Sequence, residues 1–477
     1  MDILAEPRQT LSPSWKTFLP EVFRLILPMV VQNIFLSSLS FLDVVMVGQL
    51  GEKEIAAVGL ANQVFFLINL FYFGISSGSA IFVSQYWGGK NLDGLRKVMG
   101  FSLTFSGIAA SVFCFVAMVM PEAVMRIFTQ DAEVIAFGRM YLEIIGPGYI
   151  FAAISYVYSS TLRATGNAKT PLVFSVISLC LDATLNFVFI FGIGPFPAMG
   201  VAGAALSTTI GNGLEMSCLI IWSQLKQAPT ALRRTAFIWG RKFLDAIIKT
   251  SSPVILNEVF WSLGMVMYKI AYSRMGMDVV AAVNVTEAIS SLFFVIARAL
   301  NIGTAVLIGI KIGEGKYELS RLYARRLIII GIACGVLMGL VMAATAPFLP
   351  RIFNVSPALR VMTTRTLLVI SLLMPLKAIT GTLIVGILRS GGDTRFSMLV
   401  EMGSVWLIGV PCTFLGALVL KWDIWSVYLL VSLEEIAKAI VGLLRVRSGK
   451  WINNVTEMGV PVQETSSFID VESPTSV

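Results

Sequence analysis

Long stretches without charged residues are the first feature of this chain. Residues 101–120 carry no charge over 20 positions, and residues 327–350 carry none over 24. A helix rises about 1.5 Å per residue, so each stretch can cross a hydrocarbon core of about 30 Å. The pattern therefore predicts membrane-spanning helices.

Charged and Gly/Pro-rich breaks divide the whole chain into twelve such helices. They are predicted to begin near residues 20, 54, 98, 134, 170, 201, 244, 278, 321, 358, 395 and 422. The composition agrees, since 56% of the 477 residues are hydrophobic, 13% are charged and the mean hydropathy is +0.82. Such a chain has too few polar residues to cover a soluble surface. We predict an all-α, polytopic membrane protein.

Basic residues alternate between the predicted connections. The N-terminus, the even-numbered connections and the C-terminus hold 24 Lys and Arg, whereas the odd-numbered connections hold 6. The positive-inside rule then places both termini in the cytoplasm and the protein in the cell membrane, which is the inner membrane if the source is bacterial. The net charge of +8 is a topology signal, so we expect no nucleic-acid partner. The expected partners are the lipid bilayer and a small-molecule substrate.

The two halves of the chain resemble each other. With a shift of 225 residues, positions 28–88 align without a gap on positions 253–313 and share 11 identities over 61 positions. One residue later in register, "LRATG" at 162–166 lies over "LRSGG" at 388–392. A repeat of six spans inserts both halves in the same orientation. It predicts two six-helix lobes related by a pseudo-twofold axis along the membrane normal.

The repeat sets the expected domain boundaries. We predict a cytoplasmic tail at 1–19, an N-lobe at 20–223, a basic cytoplasmic linker at 224–243 and a C-lobe at 244–446. Residues 447–477 are polar and rich in Pro and Ser, which predicts a disordered cytoplasmic tail. Two such lobes form a self-sufficient unit, so a monomer is expected.

Carboxylates inside the apolar segments are the first candidates for functional residues. A central carboxylate costs about 2.5 to 3.5 kcal/mol on insertion scales, so it usually faces a cavity or a partner. Asp43 lies in "SSLSFLDVVMVGQLG", and Asp182 and Asn186 share one face of helix 5 because they are four residues apart. All three fall at similar heights in the outer half of the N-lobe. They could surround a cation or share a proton, or they could only tie helices together by hydrogen bonds.

The second lobe supplies a further set of candidates. Glu258 lies near mid-membrane at the repeat position of Asn33, and Glu287 lies at that of Asn62. These residues could couple to an ion or bind a cationic substrate; the alternative for Glu258 is a buried ion pair with Lys269, Arg298 or Lys377. Helix-loosening prolines predict bending sites, and two aromatic side chains could line an apolar cavity. The prolines are Pro28 and Pro253, and the aromatic residues are Trp261 and Tyr268.

The residue inventory argues against an enzyme. The chain contains no histidine, which removes the commonest general base and zinc ligand. Its five cysteines lie in apolar segments without a CxxC pair, so neither a disulfide framework nor a metal site is implied. We expect no cofactor and no catalytic residues. The only expected metal is a sodium ion at Asp43, Asp182 and Asn186, if the ion is not a proton.

The ordered motifs resemble the multidrug and toxic compound extrusion (MATE) family over about residues 18–446. They are "LPMVVQNIFLSSLSFLDVVMVGQLGEKEIAAVGLANQ", "SGSAIFVSQYWGGKN", "LRATGNAKTP", "LNFVFIFG", "SSPVILNEVFWSLG" and "LRSGGDT". The resemblance implies a V-shaped pair of six-helix lobes that alternates between faces. It also implies antiport, in which cationic, amphiphilic compounds leave in exchange for sodium ions or protons.

The resemblance also assigns residues. Asp43 matches the helix 1 aspartate of the family's N-lobe cation site, and Glu258 matches the helix 7 glutamate of the sodium-coupled branch. Asp182 and Asn186 fall on a polar pair that reads Asn then Asp in many relatives, the reverse of the order here. The family's helix 10 aspartate falls on Ala378, which favours coupling in the N-lobe over a complete C-lobe sodium site.

Two other functions are compatible with a many-helix membrane protein. A flippase for a lipid-linked saccharide, on a related scaffold, would favour a strongly cationic central cavity and extra helices beyond twelve. A polytopic membrane enzyme would need a nucleophile–base pair or a metal cluster near a membrane face. The acids of the first lobe argue against the flippase, and the absence of histidine argues against the enzyme. Both functions therefore rank below the antiporter.

Overall fold

The computed structural model describes residues 13–353 and 355–457, and within them it contains helices and connections but no strand. Twelve long helices follow the predicted order. They are α1 (Trp15–Gly48), α2 (Glu52–Gly88), α3 (Leu92–Val119), α4 (Ala132–Ala164), α5 (Lys169–Phe191), α6 (Val201–Leu225), α7 (Arg241–Ser273), α8 (Met277–Gly313), α9 (Tyr317–Thr345), α10 (Pro357–Arg389), α11 (Thr394–Val419) and α12 (Ile424–Val431 with Leu433–Ser448).

The first eleven helices are each long and apolar enough to cross a membrane, while α12 is divided by a turn at Ser432. The Ser432 amide still donates to the Tyr428 carbonyl at 3.1 Å, and the Ile436 amide donates to the Ser432 carbonyl at 3.1 Å. The chain therefore continues along one axis over about 25 residues, or about 37 Å. The prediction of twelve transmembrane helices is confirmed.

Local sequence signals explain several helix ends. The side chain of Asn91 accepts a hydrogen bond from the amide of Gly94 at the start of α3, and Asp131 does the same for Glu133 and Val134 at the start of α4. Gly192 ends α5 in the left-handed conformation that a side chain would disfavour. These connections set where each span enters and leaves the bilayer.

The contact between α2 and α8 shows the pseudo-twofold axis directly. A Cβ atom on Gly88 would clash with the backbone of Ile310, and a Cβ atom on Gly313 would clash with the backbone of Gln85. Gly88 and Gly313 are equivalent by the 225-residue shift, and so are Gln85 and Ile310. Such reciprocal contacts define an isologous, twofold interface.

A second reciprocal pair joins α2 to α7 and α8 to α1. Gly78 packs on Ser251, and Gly303 packs on Ile26, which is the repeat equivalent of Ser251. Between α2 and α8 themselves, Gly309 packs on Ser84 and Gly88 packs on Glu314. The contacts advance in the same sense along both chains, so the two helices meet near their C-terminal ends and run in the same direction. The axis that relates the lobes is therefore roughly parallel to the helices, as predicted for lobes related along the membrane normal.

The segment after α12 differs from the expected disordered tail. Trp451 is fully buried, and Val455 is 1% exposed. The side chain of Gln85 on α2 donates to the carbonyls of Ser390 and Asn453 and accepts from the amide of Val455 at 2.8 Å. Residues 449–457 therefore form a strap between the two lobes, because one tryptophan supplies enough apolar surface to anchor an otherwise polar segment. Residues 458–477 lie outside the described part of the chain.

Candidate coupling site

The three polar residues predicted in the N-lobe meet between α1, α5 and α6. The Asn186 Nδ2 atom lies 2.9 Å from Asp43 Oδ1 and 3.5 Å from Asp182 Oδ1. Asn186 is 1% exposed and Asp182 is 7% exposed, whereas Asp43 is half-buried. One amide group thus holds two carboxylates together.

Ser207 on α6 sets the orientation of that amide. Its hydroxyl donates to Asn186 Oδ1 at 2.6 Å, so the amide oxygen faces Ser207 and the amide nitrogen faces the two carboxylates. An amide nitrogen carries two protons and can serve both acids at once. A cation can therefore neutralise the charge of the two carboxylates. The Asn186 amide nitrogen stabilises them by hydrogen bonds while they are charged.

A second link joins α1 to α5 at a matching position. Gln32 donates to the hydroxyl of Ser175 at 2.8 Å. Gln32 precedes Asp43 by eleven residues, and Ser175 precedes Asn186 by eleven residues. Two parallel helices with equal spacing between their links stay in register for about three turns, or about 16 Å.

The stretch of α1 between these links has little packing. The five consecutive residues 34–38 are all exposed, so no face of the helix is covered there. Exposed side chains in this stretch include Ile34 at 51% and Phe35 at 41%. Asp43 therefore lies at the end of a helix segment that has a polar link at each end and is exposed over residues 34–38.

In the C-lobe, Glu258 forms part of a buried ion-pair cluster. Arg389 Nη1 lies 2.8 Å from Glu258 Oε1, and Arg389 Nη2 lies 3.0 Å from Glu401 Oε2. Asn257 donates to the same oxygen of Glu401 at 2.6 Å. The arginine side chain is 4% exposed. The positive charge next to Glu258 is thus the guanidinium group of Arg389.

This arrangement differs from the expected partners of Glu258, which were Lys269, Arg298 and Lys377. Arg389 is one of the 24 basic residues that the sequence analysis counts on the cytoplasmic side, but its side chain is 4% exposed and pairs with two buried acids. The "LRSGG" motif places Arg389 at the end of the π-helical last turns of α10, and its guanidinium faces Glu258 and Glu401. The available signal was that the same arginine recurs in "LRATG" of the first half.

The remaining C-lobe candidates are not brought to Glu258. Glu287 pairs with Lys269 at 3.3 Å near the surface, and Asn33 in the N-lobe donates to the Met29 carbonyl of its own helix at 2.8 Å. Trp261 is 38% exposed. Tyr268 is buried against Glu434 of α12 and does not face open space. Tyr268 is also the repeat equivalent of Asp43, so the C-lobe has no acid at that position.

The structure adds a buried charge cluster that sequence reasoning missed. Lys438 Nζ lies 2.6 Å from Glu434 Oε1 and 3.7 Å from Glu435 Oε1. Thr380 of α10 donates to Glu435 at 2.5 Å. The spacing of three and four residues on α12 was the signal that could have revealed the pairing.

The predicted hinge prolines lie within continuous helices. Pro28 is in α1 and Pro253 is in α7, and both are buried. Each is close to the contact between the lobes, since Ile26 and Ser251 pack on the glycines described above. Bending at these residues stays a prediction.

Two lobes of six helices, an internal parallel repeat and buried acids between helices define a class of protein, the polytopic membrane transporters. Residues 28–188 and residues 253–415 each match the family model MatE, once in each lobe. The chain belongs to the MatE family.

Several named proteins are similar to this chain along nearly its full length. The uncharacterized transporter YisQ of Bacillus subtilis is 23% identical, covering 92% of this chain and 96% of its own. The probable multidrug resistance protein YoeA of Bacillus subtilis is 25% identical, covering 90% and 93%. The probable multidrug resistance protein NorM of Thermotoga maritima is 24% identical, covering 90% and 92%.

Solved structures share the fold. An outward-facing multidrug resistance MATE family transporter of the MOP superfamily superposes with a TM-score of 0.81 at 19% identity, covering 92% of this chain and 96% of its own. A MOP superfamily transporter from Pyrococcus furiosus gives the same TM-score, identity and coverage. At this identity the likeness shows the architecture alone.

Proposed function

We propose that the protein is a secondary active antiporter that exports cationic or amphiphilic small molecules, including drugs and toxic compounds, in exchange for a proton or a sodium ion. The single observation that carries this proposal is the bridge from Asn186 to both Asp43 and Asp182. It joins two acids from separate helices in one buried site. The names of the relatives, multidrug resistance proteins, support the class of substrate.

The exchange follows from competition for charge. Uptake of one cation at Asp43 and Asp182 removes charge from a low-dielectric site, which changes how strongly α1 is held against α5. The open stretch 34–38 of α1 lets the helix repack in response. An ion that moves inward down 100 mV releases about 2.3 kcal/mol per charge. That energy drives export only if the ion binds one conformation better than the other.

The orientation of Asn186 favours a proton over sodium. A sodium ion needs several oxygen ligands, but the Asn186 oxygen is turned to Ser207 and its nitrogen faces the acids. A proton needs only one carboxylate oxygen. Sodium coupling would require the amide of Asn186 to rotate and the Ser207 hydrogen bond to break.

Glu258 has a supporting role in this proposal. Its ion pair with Arg389 must open before Glu258 can bind an external cation. We place coupling in the N-lobe, and we assign Glu258 to the coupling of conformations or the binding of a cationic substrate once Arg389 moves. Ala378, at the position of the family's helix 10 aspartate, adds no further acid.

The proposed setting is a monomer in the cell membrane with both termini in the cytoplasm. The alternation of basic residues supports this orientation. Single cysteines introduced into the connections after α1 and α2 would test it. A membrane-impermeant thiol reagent should label the first from outside intact cells and should not label the second.

Efflux of a cationic dye from proteoliposomes tests the function. A pH gradient and a sodium gradient are imposed separately, and we expect the pH gradient to drive dye movement. Asp43→Asn should lower the coupled rate at least tenfold, while Asp278→Asn, an exposed aspartate in the first turn of α8, should leave it unchanged. Full coupled efflux by Asp43→Asn would remove this residue from the mechanism.

A further inference from the structure

Glu215 on α6 is a carboxylate that the proposed function does not use. Its Oε1 atom accepts a hydrogen bond from the hydroxyl of Ser175 at 2.5 Å. That hydroxyl accepts from Gln32 at 2.8 Å, so its single proton points to Glu215. The contact joins α1, α5 and α6 in one polar layer.

This layer lies on the same seam as the Asp43 site. On α5, the buried polar residues Ser175, Ser178, Asp182 and Asn186 recur at intervals of three and four residues. They form one stripe about 16 Å long. Its two ends are the bridge of Asn186 and the contact with Glu215.

The facing side of α6 completes the seam. Ser207, Gly211 and Glu215 are four residues apart and therefore share a face. Gly211 allows close approach, since a Cβ atom there would lie 3.1 Å from the Cβ of Asp182. Ser178, between the two ends, donates to the Gly211 carbonyl at 2.6 Å. Polar groups thus connect Asp182 with Glu215 in steps of one helical turn.

The C-lobe contains the equivalent layer in a neutralised form. Asn257 and Glu401 are the repeat equivalents of Gln32 and Ser175, and they form the equivalent contact between α7 and α11. There, the positive charge of Arg389 compensates the negative charges of Glu258 and Glu401. The repeat equivalent of Arg389, Arg163, acts on Glu215 only through longer-range charge attraction and makes no direct ion pair with it. In the part of the chain that the structure describes, no Lys or Arg nitrogen lies within 4.0 Å of Glu215.

From this seam we infer that Glu215 is a second proton-binding site of the N-lobe, which takes up the proton that Asp182 releases towards the predicted cytoplasmic face. The inference rests on the proposed function. One O–H bond breaks at the Asp182 carboxyl group and one forms at a Glu215 carboxylate oxygen, and the net charge of the pair is unchanged. Ser175 and Gln32 hold the acceptor in place while it is ionised.

Proton flux in proteoliposomes under an imposed pH gradient tests the inference. Glu215→Gln should lower substrate-dependent proton flux at least tenfold, while the affinity for a cationic dye changes less than threefold. Glu215→Asp keeps an acid and should keep at least a third of the flux. The matched control is Glu143→Gln, an acid of the same lobe that pairs with Arg139 near the surface at 2.8 Å and should behave as wild type.

The outcomes separate this inference from the proposed function. Wild-type protein without gradient-driven efflux contradicts the antiporter itself. Coupled wild-type protein with full flux in Glu215→Gln, or with equal loss in the Gln and Asp variants, overturns the role of Glu215 as a proton site. If Glu215→Gln does not fold, Ser175→Ala takes its place: a shift in the pH profile of flux is expected, and an unchanged profile overturns the inference.

Discussion

At the scale of single residues, the two lobes handle buried acids in opposite ways. Asp43 and Asp182 share one neutral amide, and none of the ion pairs among residues 13–353 and 355–457 involves either acid. Glu258 and Glu401 share a buried guanidinium. An acid without a resident cation can be neutralised by an external ion, whereas an acid with one must first lose its partner. This contrast supports the proposal that ion exchange takes place in the N-lobe, while Glu258 is held by an ion pair that has to open first.

Replacement of Asn186 tests the shared amide. Asn186→Ala removes the donor to both acids and leaves the Ser207 hydroxyl without this acceptor. We expect the coupled efflux rate to fall at least tenfold. We also expect a loss of about 1 to 3 kcal/mol in the free energy of unfolding, because buried groups lose partners. Dye efflux and thermal unfolding in detergent measure the two effects. A variant with wild-type efflux contradicts the assignment of Asn186.

Replacement of Arg389 tests the neutralised pair. Arg389→Met leaves two buried acids without a cation, which costs about 3 to 5 kcal/mol in unfolding free energy. Adding Glu258→Gln and Glu401→Gln should recover most of the lost unfolding free energy, because the buried side chains are then uncharged. As a control, Arg139→Met breaks pairs whose side chains are 52%, 47% and 40% exposed, and it should cost about 1 kcal/mol or less. Equal melting shifts for the two arginine variants would show that the buried pair is unimportant.

At the scale of helices, glycines decide how closely the lobes approach. α2 and α8 meet where Gly88 and Gly313 leave room for the backbone of the other helix. In membranes, such small residues permit close packing that apolar burial alone does not drive. The predicted starts of the helices lie within six residues of those observed, because apolar length and Gly/Pro breaks are local signals. The contact between α2 and α8 is not local, and only the structure shows it.

Gly313→Ala is expected to separate the two helices. The added methyl group would meet the backbone of Gln85, which cannot rotate away, so we expect a lower unfolding temperature and less efflux. Gly59→Ala on α2 is the matched control, because no atom lies within 4 Å of the added methyl group. Thermal unfolding in detergent and dye efflux compare the two. Equal stability of both variants would contradict the close contact at Gly313.

At the scale of the whole molecule, the strap after α12 ties the two lobes together. Trp451 is buried against Gly391 of the α10–α11 connection, and the Gln85 side chain of the N-lobe bonds to the strap. Any change that separates the lobes at this end must break these contacts. The strap therefore favours the conformation in which α2 and α8 touch.

Trp451→Ala tests the strap. Loss of a fully buried indole should lower the unfolding free energy by about 3 to 5 kcal/mol. It should also increase the labelling of a cysteine placed at Val455 in the same background, because that strap residue is 1% exposed while the strap is docked. Trp422→Ala, at a tryptophan 44% exposed, should change neither quantity strongly. Unchanged labelling after Trp451→Ala would contradict the role of the strap.

The sequence by itself determined the number of spans, the repeat and the presence of acids in apolar segments, since each depends on composition along the chain or on comparison of its halves. It also brought Asp43, Asp182 and Asn186 to one height, because helix rise is uniform. Only the tertiary structure decided that Asn186 joins both acids, that Arg389 turns inward to Glu258, and that Trp451 is buried. Those results depend on which helix faces meet, and contacts between residues far apart in sequence leave no periodic signal in either partner.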